Sequence, residues 1–177
     1  IAPSNNTRGL SVVNLLPDKG IKKFPKRYEN PLVRSGLALA GANHITIVNR
    51  SAQRGEELTT LLQDKLPCYA DFASWDSTYS IPSATDIVIN ATSIGLFPDI
   101  DAQLDFDLNT LSSNMVVADV IPNPPATNLV RDARAKGCKV IDGLAMLVSQ
   151  GVIGVKHWTG VDPDPTVMRT ALEEVFG

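Results

Sequence analysis

The sequence predicts an α/β protein built on a doubly wound, mainly parallel sheet with helices on both faces. Two observations carry that expectation. Short β-branched runs of strand length recur through residues 37–177, separated by segments with helical spacing. Those runs are continuously apolar rather than alternating, as strands covered on both faces are. His44-Ile-Thr-Ile-Val-Asn49 is the first clear strand, and Leu58, Leu61 and Leu62 mark the helix after it, with Ser51 as N-cap. Residues 86–90, 115–119 and 139–142 repeat the strand signature. Residues 128–136 suit a short helix stopped by Gly137. Residues 145–158, apolar on most sides and containing Gly151 and Gly154, predict a buried helix packed closely on a neighbour. Residues 166–176 close the domain, and the crossovers should be right-handed.

Size and charge narrow the function. A chain of 177 residues suits one domain that removes roughly 70% of its unfolded surface from water. With 44% hydrophobic and 20% charged residues and a net charge of -3, it has no basic field to hold nucleic acid. Cys68 and Cys138 lack metal-ligand spacing, so two reduced, buried thiols in a cytoplasmic protein are expected, and no metal. No apolar run reaches the ~18 residues of a membrane span, and residues 1–10 lack the regions of a signal peptide, so the expectation is a soluble, unexported chain without a membrane partner.

In such a sheet a ligand lies across the carboxyl ends of the strands, so the residues after each strand are the candidates. After the first clear strand stand Asn49, Arg50 and Ser51, with Arg54 three positions on. A NAD-specific domain places an acid there to hold the ribose 2′-hydroxyl; two guanidiniums at a helix N-terminus favour a 2′-phosphate, hence NADP. The spacing equally suits a surface strand end with solvated arginines. Ala91, Thr92 and Ser93, within Asn90-Ala-Thr-Ser-Ile-Gly95, let a cofactor lie against the backbone or simply form a turn. Gly143 permits close approach to a nicotinamide, and Met146 offers it a soft apolar contact. Gln150, one helical turn beyond, can present an amide to substrate hydroxyls. All three also suit a helix core, although an amide on so apolar a helix needs partners to offset its burial. His44 and His157 stand alone, without a nucleophile or carboxylate pattern, and read as structural or surface residues.

A G-x-G-x-x-G/A run, which would bring a pyrophosphate to a helix N-terminus, is missing. Residues 29–36 lie just ahead of the first clear strand. The first 36 residues do not read as the front of this fold, so the chain divides into an atypical segment, 1–36, and a nucleotide-binding domain, 37–177. Freely back-translated, residues 29–36 read one base later give K-T-L-L-F-G-A-G, a strand and the beginning of a glycine loop. That match is the basis for expecting a frameshift in the gene near this region. Codons incompatible with the shifted loop would exclude it.

Three segments then carry a family resemblance: Asp119-Val-Ile-Pro-Asn-Pro-Pro-Ala-Thr127, Asp142-Gly-Leu-Ala-Met146-Leu-Val-Ser-Gln150 and Trp158-Thr-Gly160. The series resembles the nucleotide-binding half of shikimate dehydrogenases, which runs D-x-x-Y-N-P-x-x-T, D-G-x-x-M-L-x-x-Q, W-T-G in that order. Asn49, Arg50, Ser51 and Arg54 are similar to the family's N-R-T-x-x-R. The resemblance implies a Rossmann-like fold, NADP as cofactor, the turn at 90–95 on the nicotinamide-ribose side and Val120 facing the cofactor. It also implies NADPH-dependent reduction of 3-dehydroshikimate to shikimate, in the route to chorismate and the aromatic amino acids. Pro122 departs from the pattern: the family's tyrosine there donates a hydroxyl to substrate, so that contact is weaker here or comes from another group.

The family's catalytic lysine and aspartate belong to a preceding substrate domain with no counterpart in this chain. Asn6-Thr7-Arg8-Gly9 echoes its N-T-D-G with Arg8 in place of the aspartate. The expectation is therefore an NADP-binding domain that is inactive or severely impaired alone. The face where the other domain would pack is free to drive self-association, as in a homodimer. Two rival classes stand beside this reading. One is another nucleotide-dependent enzyme, such as a quinate dehydrogenase using NAD or NADP or a glutamyl-tRNA reductase-like protein. The other is a non-catalytic nucleotide-binding remnant.

Overall fold

The structure, a computed structural model, describes residues 11–15, 42–65 and 68–176. Among these, strands β1 (Ser11–Leu15), β2 (His44–Asn49), β3 (Tyr69–Ser74), β4 (Ile87–Asn90), β5 (Val116–Asp119) and β6 (Lys139–Ile141) form one sheet. Its order is β3-β2-β1-β4-β5-β6, and every pairing is parallel. The order reverses between β1 and β4, which opens a crevice at the carboxyl ends of the central strands. The helices are α1 (Ala52–Lys65), α2 (Asn128–Ala135), α3 (Gly143–Thr159) and α4 (Pro165–Phe176).

Strand alternation splits the core in two. Ile45, Ile47 and Ile89 pack with Leu62 and Ala70 on one face, where α1 lies. Val48, Val88 and Val117 point to the opposite face and pack with Leu129 and Ala133 of α2, together with Met115, Phe106 and Trp75. Adjacent residues of one strand enter different clusters, as the period of two requires. Helices therefore cover both faces, and the continuous apolar runs in β2 and β4 follow from that.

Gly137 stops α2 as expected, and side chains or a glycine set the other ends of α2 and α3. Thr127 caps α2 by accepting from the Val130 amide at 3.3 Å, and Gly137 (φ +78°) turns the chain into β6. Asp142 caps α3 by accepting from the Ala145 amide at 2.9 Å. Gly160 (φ +73°) ends α3 in the left-handed conformation, its amide donating to the Lys156 carbonyl. The glycine of Trp158-Thr-Gly160 is thus a helix stop.

Two expectations are corrected, and one strand was not anticipated. Ser11–Leu15 lies inside the segment that does not read as the front of the fold, yet it forms β1 between β2 and β4. Its Val-Val pair is too short a run to stand out, and pairing on both sides compensates for weak local propensity. β3 was likewise not legible: Tyr-Ala-Asp-Phe-Ala-Ser carries Asp71 at its centre, acceptable because β3 is an edge strand. The second correction concerns α3, which is buried only at Gly143, Leu144 and Val148, with Ile153 69% and Trp158 81% exposed. Its all-round apolarity does not reflect burial among the described residues. The close-packing part of that expectation has a local basis, since a Cβ on Gly151 would lie 3.2 Å from Met168 Cε on α4. Residues 29–36, with the shifted glycine loop and the frameshift expectation, and residues 6–9 lie outside the described residues.

A single ion-pair cluster ties α4 to the start of α3. Arg169 donates from Nη1 and Nη2 to Asp142 Oδ1 and Oδ2 at 2.7 and 2.8 Å, and from Nε to Glu173 at 2.6 Å. Arg134 lies 3.5 Å from Asp142 on the other side. The Arg169 hydrogen bonds hold the Asp142 carboxyl below its ordinary value, outweighing desolvation. A depressed acid stabilises the fold above its unfolded pKa of ~3.9, and that contribution is lost as pH falls through the lower folded value. Arg169→Ala should cost about 1–2 kcal/mol at neutral pH, less than a fully buried pair because the guanidinium is partly exposed. Thermal unfolding across a pH series should show the gap from wild type closing below about pH 4. A gap independent of pH would contradict the assignment.

Candidate functional site

Four strands meet the carboxyl edge with the same chemistry. β2, β4 and β5 end in Asn49, Asn90 and Asp119, and Asp142 follows β6; all four are buried. In the first three, a side-chain Oδ1 accepts the amide two residues on: Ser51 at 2.9 Å, Thr92 at 3.0 Å and Ile121 at 3.0 Å. Each such turn redirects the chain sharply at the strand end without a glycine. The backbone that follows is thereby held at the rim of the crevice.

At β2, Asn49 is buried and makes this turn. The Ser51 carbonyl accepts from Gly55, placing Ser51 at the N-cap position of α1. Arg50 and Arg54 are exposed, and the first turn of α1 contains no acid. The Arg50 guanidinium lies 5.8 Å from the centre of the Trp75 ring. Trp75, nearly buried just past β3, is anchored by its Nε1 donating to the Asp105 carbonyl at 2.7 Å. Arg50, Trp75, Asp76, Ile94, Gln103 and Asp105 line a cleft of about 220 Å³. The strand end and the turn after β4, far apart in sequence, thus share one cleft. Trp75, a lining residue of this cleft, was not anticipated from the sequence, because β3 itself was missed.

At β4, Ala91 and Thr92 are buried and Ser93 is exposed. Thr92 donates its hydroxyl to Asn90 Oδ1 at 2.7 Å and accepts from the Ile94 amide at 3.0 Å, and Gly95 takes φ +92°. The half-buried Val120 donates its amide to the Asn90 carbonyl at 3.1 Å. Asp119 Oδ1 also accepts from Asn90 Nδ2 at 3.1 Å, and Asp119 Oδ2 accepts from the Thr127 hydroxyl at 2.6 Å. Burial pushes the Asp119 carboxyl above its ordinary value, while the bonds from Thr127, Ile121 and Asn90 pull it down. A recurring Asn or Asp at strand ends was the sequence signal for this network.

Gly143 has a packing reason of its own: a Cβ there would lie 2.1 Å from the Ile121 carbonyl oxygen and 2.6 Å from the Pro122 nitrogen. The first turn of α3 therefore sits directly on the loop after β5. The turn after β4, the loop after β5 and the first turn of α3 are thus linked through the Val120–Asn90 bond and the Gly143 contact. Met146 is half-buried one turn into α3. Gln150 is exposed, which corrects the argument that a buried amide there needs partners; α3 leaves that face open. His44 Nε2 pairs with Asp71 Oδ1 at 3.1 Å between β2 and β3, away from the carboxyl edge. Among the described residues, no group of three or more His, Cys, Asp or Glu could hold a metal ion, and no helix is long and apolar enough to cross a membrane.

The donor set after β2, two guanidiniums at a helix N-terminus, fits a phosphate ester. A parallel sheet in this order, with such a rim, defines a Rossmann-type dinucleotide-binding domain. The profile of the shikimate 5'-dehydrogenase C-terminal domain matches residues 143–173. A shikimate dehydrogenase (NADP(+)) of Methanococcus aeolicus is 34% identical over 138 residues, covering 78% of this chain and 49% of that protein. Among solved structures, ligand-free 5-ketofructose reductase of Gluconobacter sp. strain CHM43 is 43% identical with a TM-score of 0.82, covering 97% of this chain and 59% of that one. A shikimate dehydrogenase in complex with NADP+ is 31% identical with a TM-score of 0.75, covering 96% of this chain and 55% of that one. The chain belongs to the shikimate dehydrogenase family and corresponds to its C-terminal, nucleotide-binding half. It spans about half the length of the curated relatives it matches.

Proposed function

We propose that the chain binds NADP(H) and serves the NADPH-dependent reduction of 3-dehydroshikimate to shikimate. The observation that carries the cofactor assignment is the pair Arg50 and Arg54 at the start of α1, with no acid in its first turn. In this reading Asn49 and Ser51 shape the turn that presents the arginines to a 2′-phosphate. Ala91, Thr92, Ser93 and Val120 line the nicotinamide-ribose side, with Gly143 and Met146 beside the ring. Gln150 reaches the substrate from the exposed side of α3. The bound cofactor supplies the hydride, and the chain's own residues orient it and exclude water from one face. A lysine and an aspartate of the family's substrate half handle the proton at the carbonyl. The setting is cytoplasmic, in aromatic amino acid biosynthesis. The exposed apolar surface of α3 and α4, with Ile153, Trp158 and Val167, suits packing against that substrate half or a second copy of the chain.

One observation favours a second reading of the substrate. Pro122 stands where the family carries its substrate-binding tyrosine, and the 5-ketofructose reductase shares more identity with this chain than the NADP+-bound shikimate dehydrogenase does. The substrate is then a different polyhydroxylated ketone reduced by the same nucleotide half. Titration of the purified chain with NADPH and with NADH, read by calorimetry, tests the cofactor assignment. NADPH should bind at least about tenfold more tightly, the worth of a single charge-assisted contact at the 2′-phosphate. Equal affinity for the two would refute it. NADPH oxidation by the family-length protein in the presence of 3-dehydroshikimate or 5-ketofructose separates the two substrate readings.

A further inference from the structure

We infer that Asp119 is a positioning residue that locks the turn after β4 to the loop after β5, so that the two backbones beside the nicotinamide are held as one unit. Its role toward the nicotinamide rests on the cofactor reading above; the lock itself does not. Asp119 is 2% exposed and receives three donors from three segments: Asn90 Nδ2 on β4, the Ile121 amide in its own loop, and the Thr127 hydroxyl at the cap of α2. Asn90, 0% exposed, passes the connection on through Oδ1 to the Thr92 amide and hydroxyl, and the Thr92 hydroxyl oxygen accepts from Ile94. The direct backbone bond from Val120 to Asn90 runs parallel to this path. Among the described residues, the one buried side-chain polar atom without a partner is Thr85 Oγ1, outside the network.

Stability alone does not call for such an arrangement. A buried polar cluster is commonly replaceable by apolar residues of similar volume at little cost, whereas a fully connected one fixes a unique geometry. Here the geometry fixed is that of Ala91, Thr92 and Val120, at the rim of the crevice. Asparagine at position 119 keeps the shape but cannot accept from all three donors, because its amide nitrogen donates. With its oxygen in the Oδ1 place the amide keeps the Asn90 and Ile121 bonds but meets Thr127 only as a donor, so the bond to the carboxylate is lost and the hydroxyl must turn; pointing the other way it loses both the Asn90 and the Ile121 bonds.

The test compares wild type with Asp119→Asn, Thr127→Val and Thr127→Ser, using two ligands and amide hydrogen exchange. NADPH spans both halves of the site, while 2′,5′-ADP engages only the arginine side. Asp119→Asn and Thr127→Val should weaken NADPH about tenfold and 2′,5′-ADP less than about twofold, while Thr127→Ser, which keeps the hydroxyl, retains wild-type affinity. In the unliganded chain, Asp119→Asn should speed exchange at Thr92 and Ile94 together with Ile121. Equal losses for both ligands, or faster exchange confined to Ile121, would overturn the inference. A wild-type chain that binds neither ligand, with Thr92 and Ile94 still responding in Asp119→Asn, refutes the cofactor reading and supports the lock. Should Asp119→Asn fail to fold, Thr127→Val against Thr127→Ser carries the same ligand and exchange comparison.

Discussion

The Arg50→Ala, Arg54→Ala double variant is expected to lose NADPH affinity by about a hundredfold while NADH affinity changes by less than about threefold. Both arginines are exposed, so each contact is set at the low end for a charge-assisted bond, about 1.5 kcal/mol, and two together give about two orders of magnitude. Because this contribution is electrostatic and solvent-facing, it should also shrink as salt rises. Arg50 has a second task, since it covers the Trp75 ring. Trp75 fluorescence should therefore change in Arg50→Ala alone, before any ligand is added. Calorimetry in parallel with NADPH and NADH is the check. Equal losses for the two cofactors would mean that the arginines do not read the 2′-phosphate.

Gly143→Ala is expected to destabilise the fold by about 3 kcal/mol, the upper part of the range for overpacking. Alanine would otherwise gain up to about 1 kcal/mol in a helix, so the sign of the change decides between propensity and contact. The contact prevails because the atoms in the way are backbone: the Ile121 carbonyl and the Pro122 nitrogen, in a loop anchored by Asp119. For a chain of this length the melting temperature should fall by about 6–12 °C. A fall of less than about 2 °C would show that the loop yields easily. In that case Gly143 would be free for the closer approach to a ligand that the sequence alone suggests.

The contrast at Gly143 shows what the sequence could carry. The Asp-Gly step before an apolar helix marks a place of close approach, but whether a ligand or a neighbouring loop approaches depends on tertiary placement. β2, β4, β5 and β6 were legible because each is a β-branched or apolar run bounded by polar residues. β1 and β3 were not, since their short, mixed runs become strands through pairing with β2. With β3 unseen, Trp75 and the cleft it shares with Arg50 and Ile94 could not be anticipated. α3 was legible as a helix, yet its apolarity was read as burial, and that error misled the argument for Gln150. Apolar periodicity reports what a helix can bury, not what covers it.

The proposed function requires one cofactor to lie across the carboxyl edge of the sheet, from Arg50 and Arg54 to the turns at Ala91–Ser93, Val120 and Gly143. Backbone amide shifts recorded during NADPH titration of the isotopically labelled chain test it most directly. Perturbations are expected at Arg50, Ser51, Arg54, Thr92, Ser93, Val120, Gly143 and Met146, with His44 and Tyr69 unmoved at the opposite edge. Perturbations centred on the exposed surface of α3 and α4, or none at saturating NADPH, would contradict it.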